Sequence, residues 1–213
     1  MAKPLVQVAL DSLDYQQTVA LARQAAPYVD IIEIGTPCLK VNGIELVKEI
    51  RANHPDKLIF ADLKTMDAGY YEAEPFYKAG ADICTVLGTA DLGTIKGVVD
   101  VANAYGKQAQ VDLINVKDKP KRAAEAAKLG AHIIGIHTGI DQQLAGQTPF
   151  ADLAALVALG LNVKVSVAGG IKQSTVQQVV KAGPNIVVVG GAITGSPAAE
   201  VAAREIRDLV ASA

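Results

Sequence analysis

A chain of 213 residues with 50% apolar residues, 20% charged residues and a formal net charge of -2 has the size of one domain. Lys plus Arg total 20 against 22 for Asp plus Glu, without a basic stripe or polybasic cluster, so neither a nucleic-acid partner nor a membrane surface is expected. No apolar run approaches the roughly 18 residues of a membrane span, MAKPLVQVALD lacks a signal peptide's apolar core, and Cys38 and Cys84 lack metal-ligand spacing; together these predict a protein of the reducing cytoplasm.

Along the chain, short β-branched runs alternate with amphipathic ones. LVQVAL (5–10) precedes a helical pattern at 14–26, VDIIEI (29–34) one at 43–53, KLIFAD (57–62) one at 70–79, and DICTVL (82–87) one at 92–105. The alternation continues with QAQVDL (108–113) before 119–129, HIIGI (132–136) before 150–159, VKVSV (163–167) before 173–182, and NIVVV (185–189) before 197–211. Eight such units have about 27 residues each, enough for a strand, a three-turn helix and short loops, with almost no decoration. Apolar strands alternating with helices predict a covered parallel sheet, and eight units predict one (β/α)8 TIM barrel over residues 1–213. An open doubly wound sheet is the alternative, but the first strand runs into DSLD rather than the G-x-G-x-x-G of a dinucleotide site. Gly80, Gly130 and Gly183 fall where helices close and strands restart, at the bottom of the barrel.

Chemistry in such barrels comes from the carboxyl ends of the strands. There the sequence places Asp11, Glu33, Asp62, Lys64, Asp67, Asp112 and His137. Any one of them has a plain structural reading, as a helix cap, a solvated lysine or a strand-end acid. Together, acids crowded at one mouth repel one another and call for a cation, which Lys64 and a divalent metal can both supply. Glu33 and Asp62, on neighbouring strands without a His or Cys pair, form an all-oxygen set that suits Mg²⁺, or Mn²⁺, better than Zn²⁺. If the strand continues through residue 64, Asp62 and Lys64 share a face and Leu63 points toward the helices. The flanking acids would also keep Lys64 an ammonium, which disfavours a Schiff base. His137 sits at the top, where an imidazole can exchange a proton near neutral pH, whereas His54 and His132 fall at the bottom. After the last two strands, Gly169-Gly170 and Gly190-Gly191-Ala192 expose backbone N–H groups that can hold an anion, so a small phosphorylated metabolite is the expected ligand.

The segments ALD (9–11), VDIIEIGTP (29–37), ADLKTMDAG (61–69), TVLG (85–88), HTGID (137–141), VAGG (167–170) and VVGGAITG (188–195) resemble the orotidine-5′-phosphate decarboxylase superfamily over essentially the whole chain. The superfamily's D-x-K-x-x-D motif falls on Asp62, Lys64 and Asp67, and the flanking segments are most similar to its 3-hexulose-6-phosphate synthase branch. That resemblance implies a reversible, Mg²⁺-dependent aldol condensation of formaldehyde with D-ribulose 5-phosphate through an enediolate. It implies Glu33 and Asp62 on the metal, Lys64 stabilising charge, His137 or Asp67 as base, and Asp11 and Asp112 orienting Lys64 or sugar hydroxyls. It further implies a homodimer in which the Asp67 loop completes the partner's site. The 3-keto-L-gulonate-6-phosphate decarboxylases are the alternative, but they place arginines after strands 6 and 8, where this chain has Thr138, Gly139, Ile140 and Ala192. A phosphosugar-binding barrel without turnover is the remote alternative.

Overall fold

In the computed structural model, which describes residues 3–213, the β-branched runs form strands β1 (Leu5–Leu10), β2 (Ile31–Ile34), β3 (Leu58–Thr65), β4 (Ile83–Leu87), β5 (Gln108–Asp112), β6 (Ile133–His137), β7 (Lys164–Ala168) and β8 (Ile186–Val189). Each pairs in parallel with the next, and β8 closes on β1 from Leu5↔Ile186 to Val8↔Val189, giving the expected closed barrel. Around it lie α1 (Tyr15–Ala25), α2 (Thr36–Asn53), α3 (Gly69–Lys78), α4 (Leu92–Ala104), α5 (Lys119–Lys128), α6 (Ile140–Leu144), α7 (Phe150–Ala158), α8 (Val176–Lys181), α9 (Gly191–Thr194) and α10 (Ala199–Ala211). None of the helices among the described residues is long and apolar enough to cross a membrane.

The helix expected over 43–53 starts earlier, at Thr36, and is broken inside at Gly43, whose φ of 66° and ψ of −160° suit only glycine. The loops are also less bare than expected. One-turn helices α6 and α9 and a 3-10 turn at Ala26–Tyr28 decorate them; segments of three to five residues are too short to show a 3.6-residue period. Gly80, Gly130 and Gly183, at φ of 110°, 90° and 85°, sit just beyond the C-caps of α3, α5 and α8, as read from the sequence.

Alternation along each strand divides the core. Outward residues such as Val6, Val8, Ile32, Ile34, Ile134 and Val187 pack under the helices, while the lower interior is filled by Ile31, Ile83, Ile133 and Ile186 from the even strands. Higher up, the inward positions turn polar: Gln7, Glu33, Asp62, Thr85, Gln110, Asp112 and Ser166 are all buried. Isolated polar groups there would be costly, so they pair. Gln7 Nε2 donates to Glu33 Oε2 at 2.7 Å, and Ser166 Oγ donates to Gln110 Oε1 at 3.0 Å. The apolar lower core and polar upper interior together set the site at the carboxyl ends of the strands.

Candidate active site

The sequence motif at 62–64 is held by a distortion of β3. Between Ala61↔Cys84 and Thr65↔Val86 the register with β4 shifts, so β3 carries two extra residues, and Lys64 takes a left-handed φ of 47°. The regular strand assumed from the sequence is therefore bulged. Leu63 still packs outward under the helices, and the side chains of Asp62 and Lys64 still converge. Lys64 Nζ lies 2.6 Å from Asp62 Oδ2 and 3.2 Å from Asp112 Oδ2, and Asp112 Oδ2 in turn lies 2.9 Å from His137 Nδ1.

These contacts set the protonation states. Burial works against the Lys64 ammonium, but Asp62 and Asp112 outweigh it and raise its pKa, so the lysine stays charged and a Schiff base is disfavoured. Burial would raise Asp112, yet the hydrogen bond and charge of His137, the Lys64 ammonium and the Ile114 N–H hold it down at about 2. The Asp112 carboxylate can only accept, so Nδ1 of His137 donates to it and Nε2 is the ring nitrogen left to face a substrate. Glu33, buried and near the Asp62 charge, is raised well above the ordinary carboxylate range.

Three polar residues to which the sequence reading gave no role complete this array. Thr36, at the start of α2, donates to Asp62, 2.7 Å from its carbonyl oxygen and 2.8 Å from Oδ2. Thr85 donates to Asp62 Oδ1 at 2.8 Å, and Gln7 donates to Glu33. The available signal was parity: Gln7 and Thr85 occupy inward positions of otherwise apolar strands.

Asp11 does not cap α1; Asp14 does, accepting the Gln17 N–H at 2.7 Å. Asp11 instead reaches across the mouth toward β2, so close that a Cβ on Gly35 would lie 2.0 Å from its Oδ1. It keeps solvent contact in a concave site, where partial desolvation and the Asp62 charge raise its pKa. Asp67 stands apart. It is exposed, and its Oδ1 accepts the N–H of Ala68 rather than joining the Lys64 array of its own chain. Beside it Met66, Tyr70 and Tyr71 are exposed, and a groove of about 470 Å³ runs between α2 and α3 past Thr36, Leu39, Leu63 and Phe76.

On the opposite side of the mouth, Gly169 and Gly170 both have positive φ, 109° and 68°, and a Cβ on Gly169 would meet the Thr138 carbonyl oxygen at 2.3 Å. Gly190, Gly191 and Ala192 open α9, whose first N–H groups have no partner within the helix, and a Cβ on Gly191 would meet nothing within 4 Å. His54 and His132 lie at the bottom as expected: His54 caps the end of α2 and His132 Nδ1 accepts from Ala109 N. Cys38 and Cys84 are buried free thiols.

Among the described residues, no group of three or more His, Cys, Asp and Glu side chains is arranged to hold a metal ion. Glu33 and Asp62 nevertheless fit a hard divalent ion that keeps water or substrate oxygens in its remaining positions. Gln7 is the one hydrogen-bond donor to Glu33 among the described residues, which leaves the other carboxylate oxygen open, and the repulsion between these two buried acids is what a cation would relieve.

Known proteins resemble this chain over nearly its whole length. A protein from Methylomonas aminofaciens named 3-hexulose-6-phosphate synthase is 66% identical over 96% of this chain and 98% of its own length. One of the same name from Mycobacterium gastri is 46% identical over 97% and 99%. The crystal structure of 3-hexulose-6-phosphate synthase from Salmonella typhimurium matches with a TM-score of 0.93 at 38% identity, covering 98% of this chain and 99% of that one. With a family match extending over residues 4–206, the chain belongs to the orotidine 5'-phosphate decarboxylase / HUMPS family.

Proposed function

We propose that this chain is a 3-hexulose-6-phosphate synthase, a lyase-class enzyme that reversibly joins formaldehyde to D-ribulose 5-phosphate to give D-arabino-hex-3-ulose 6-phosphate. The observation that carries the reading is the linked array Asp62–Lys64–Asp112–His137 at the mouth of a barrel so similar to proteins of that name. The missing arginines at 138–140 and 192 favour it over the 3-keto-L-gulonate-6-phosphate decarboxylase alternative.

The sugar phosphate is held by backbone N–H groups of Gly169, Gly170, Gly191 and Ala192, with Gly190 shaping the turn, which points C1 toward the lysine side of the mouth. His137, oriented by Asp112, takes the C1 proton on Nε2, and the resulting enediolate carbon attacks formaldehyde. His137 can then return the proton to the new hydroxymethyl oxygen. The Lys64 ammonium faces the developing negative charge, a contribution typically worth about 10²- to 10³-fold in rate for one preorganised donor. Asp11 orients sugar hydroxyls. Glu33 and Asp62 would hold Mg²⁺ or Mn²⁺, which when bound supplies Lewis-acid stabilisation of the same charge. His137 is preferred over Asp67 as the base because only His137 joins the array within its own chain. Asp67 is assigned to a partner's site in a homodimer, a reading supported by the exposed Met66, Tyr70 and Tyr71 around it.

Formaldehyde consumption with D-ribulose 5-phosphate, run beside carbon dioxide release from 3-keto-L-gulonate 6-phosphate, tests the assignment. Turnover of the second substrate alone would reverse it. Exhaustive EDTA treatment should abolish activity and Mg²⁺ or Mn²⁺ restore it; full activity after chelation would remove the metal from the reading.

A further inference from the structure

Thr85 is buried at 1% exposure on β4, carries no charge and faces the interior beneath the acid–lysine array. Its hydroxyl makes two bonds at once, donating to Asp62 Oδ1 at 2.8 Å and accepting the backbone N–H of Lys64 at 2.9 Å. Both bonds fall within the bulge, between Ala61↔Cys84 and Thr65↔Val86, where the β3–β4 ladder gives no regular pairing. The Lys64 N–H thus finds its partner on a side chain, and the left-handed turn at Lys64, with φ of 47°, is tied to β4 by that one oxygen. A non-glycine residue held in that region needs surroundings that over-determine it, and such residues cluster at functional sites. Thr36 holds Asp62 from the other side, through Oδ2. One uncharged hydroxyl thereby fixes the backbone from which Lys64 projects and the carboxylate that meets its ammonium.

We propose that Thr85 is a positioning residue for the reaction, its hydroxyl setting where the Lys64 ammonium meets the substrate. This rests on the reading of Lys64 as the group that stabilises developing charge. Valine at 85 keeps the shape and removes both bonds, whereas serine keeps the bonds and removes a methyl group. The phosphate-binding loops follow β7 and β8, across the barrel, so substrate binding should be little affected.

The test is steady-state kinetics of formaldehyde consumption with D-ribulose 5-phosphate and Mg²⁺ on the full chain, normalised to folded protein by circular dichroism, for Thr85→Val, Thr85→Ser and Lys64→Ala. Thr85→Val should lower kcat about 100-fold, the scale of a displacement of about 1 Å at a reacting centre, with KM for ribulose 5-phosphate within about twofold of the parent. Thr85→Ser should recover kcat to within a few-fold despite its lost packing. Parental kcat per folded Thr85→Val chain, or a Thr85→Ser variant as slow as the valine, would overturn the proposal while leaving Lys64 in place if Lys64→Ala is inactive. Normal turnover in Lys64→Ala would overturn both this inference and the reading beneath it. If the valine variant does not accumulate as folded protein, Thr85→Ala carries the same comparison.

Discussion

Asp112 shows how single side chains shape this protein's response to acid. Its carboxyl is held at about 2 in the fold, chiefly because contacts with His137 and Lys64 overcome burial, against about 3.9 in an unfolded chain. A depressed carboxyl contributes stability that is present above the unfolded value and is lost as pH falls through the folded one, a window of roughly pH 4 to 2. The contribution is about 2–3 kcal/mol, from about 1.4 kcal/mol per pKa unit. Urea midpoints measured at pH 5 and at pH 2.5 should therefore fall more steeply for the parent than for Asp112→Asn; parallel losses would show that this carboxylate does not govern acid unfolding. The residues that the sequence reading found here are charged and stand at the ends of apolar strands. Those it missed, Gln7, Thr36 and Thr85, are neutral and gain meaning only from the acids they touch.

Among the elements, two glycines make opposite predictions. Gly191 opens α9 with free space around it and no positive φ, so Gly191→Val should fold normally while obstructing the phosphate. Lost N–H contacts to a charged group, at about 1.5–3 kcal/mol, predict a roughly ten- to hundredfold rise in KM for ribulose 5-phosphate with kcat nearly unchanged. An unaltered KM would move the phosphate elsewhere. Gly170 is a poorer probe, because its positive φ and the nearby Gln143 side chain would confound binding with strain. At Gly43 a Cβ also meets nothing within 4 Å, but the backbone conformation is one that other residues avoid. Gly43→Ala should thus cost about 1–3 kcal/mol of stability, visible as a lower urea midpoint, with turnover per folded chain intact. Equal midpoints would mean that α2 can straighten without cost.

At the scale of the whole molecule, the separation of Asp67 from the Lys64 array of its own chain leads to a test of assembly. In the homodimer proposed above, an inactive Lys64→Ala chain and an inactive Asp67→Asn chain, unfolded and refolded together, should form mixed dimers. One of the two sites in each would carry both defects, and the other would combine native Lys64 with native Asp67 from different chains. Activity should return to at most about a quarter of wild type, because random mixing makes half the dimers mixed and gives each one good site. Efficient refolding and mixing without recovery would place the action of Asp67 within its own chain.

Periodicity sufficed to define eight strands, the major helices and which end of the barrel holds the carboxyl ends of the strands, because each is a local pattern of apolar and turn residues repeated along the chain. The charged candidate residues were legible for the same reason: acids, a lysine and a histidine at strand ends break an apolar pattern. Only the tertiary structure decided the bulge in β3, the left-handed turn at Lys64 and the polar pairs inside the barrel. These depend on which residues of β3 and β4 face each other and on which side chains meet across the interior. Register and interior contact are relations between distant segments, and a local pattern carries no record of them.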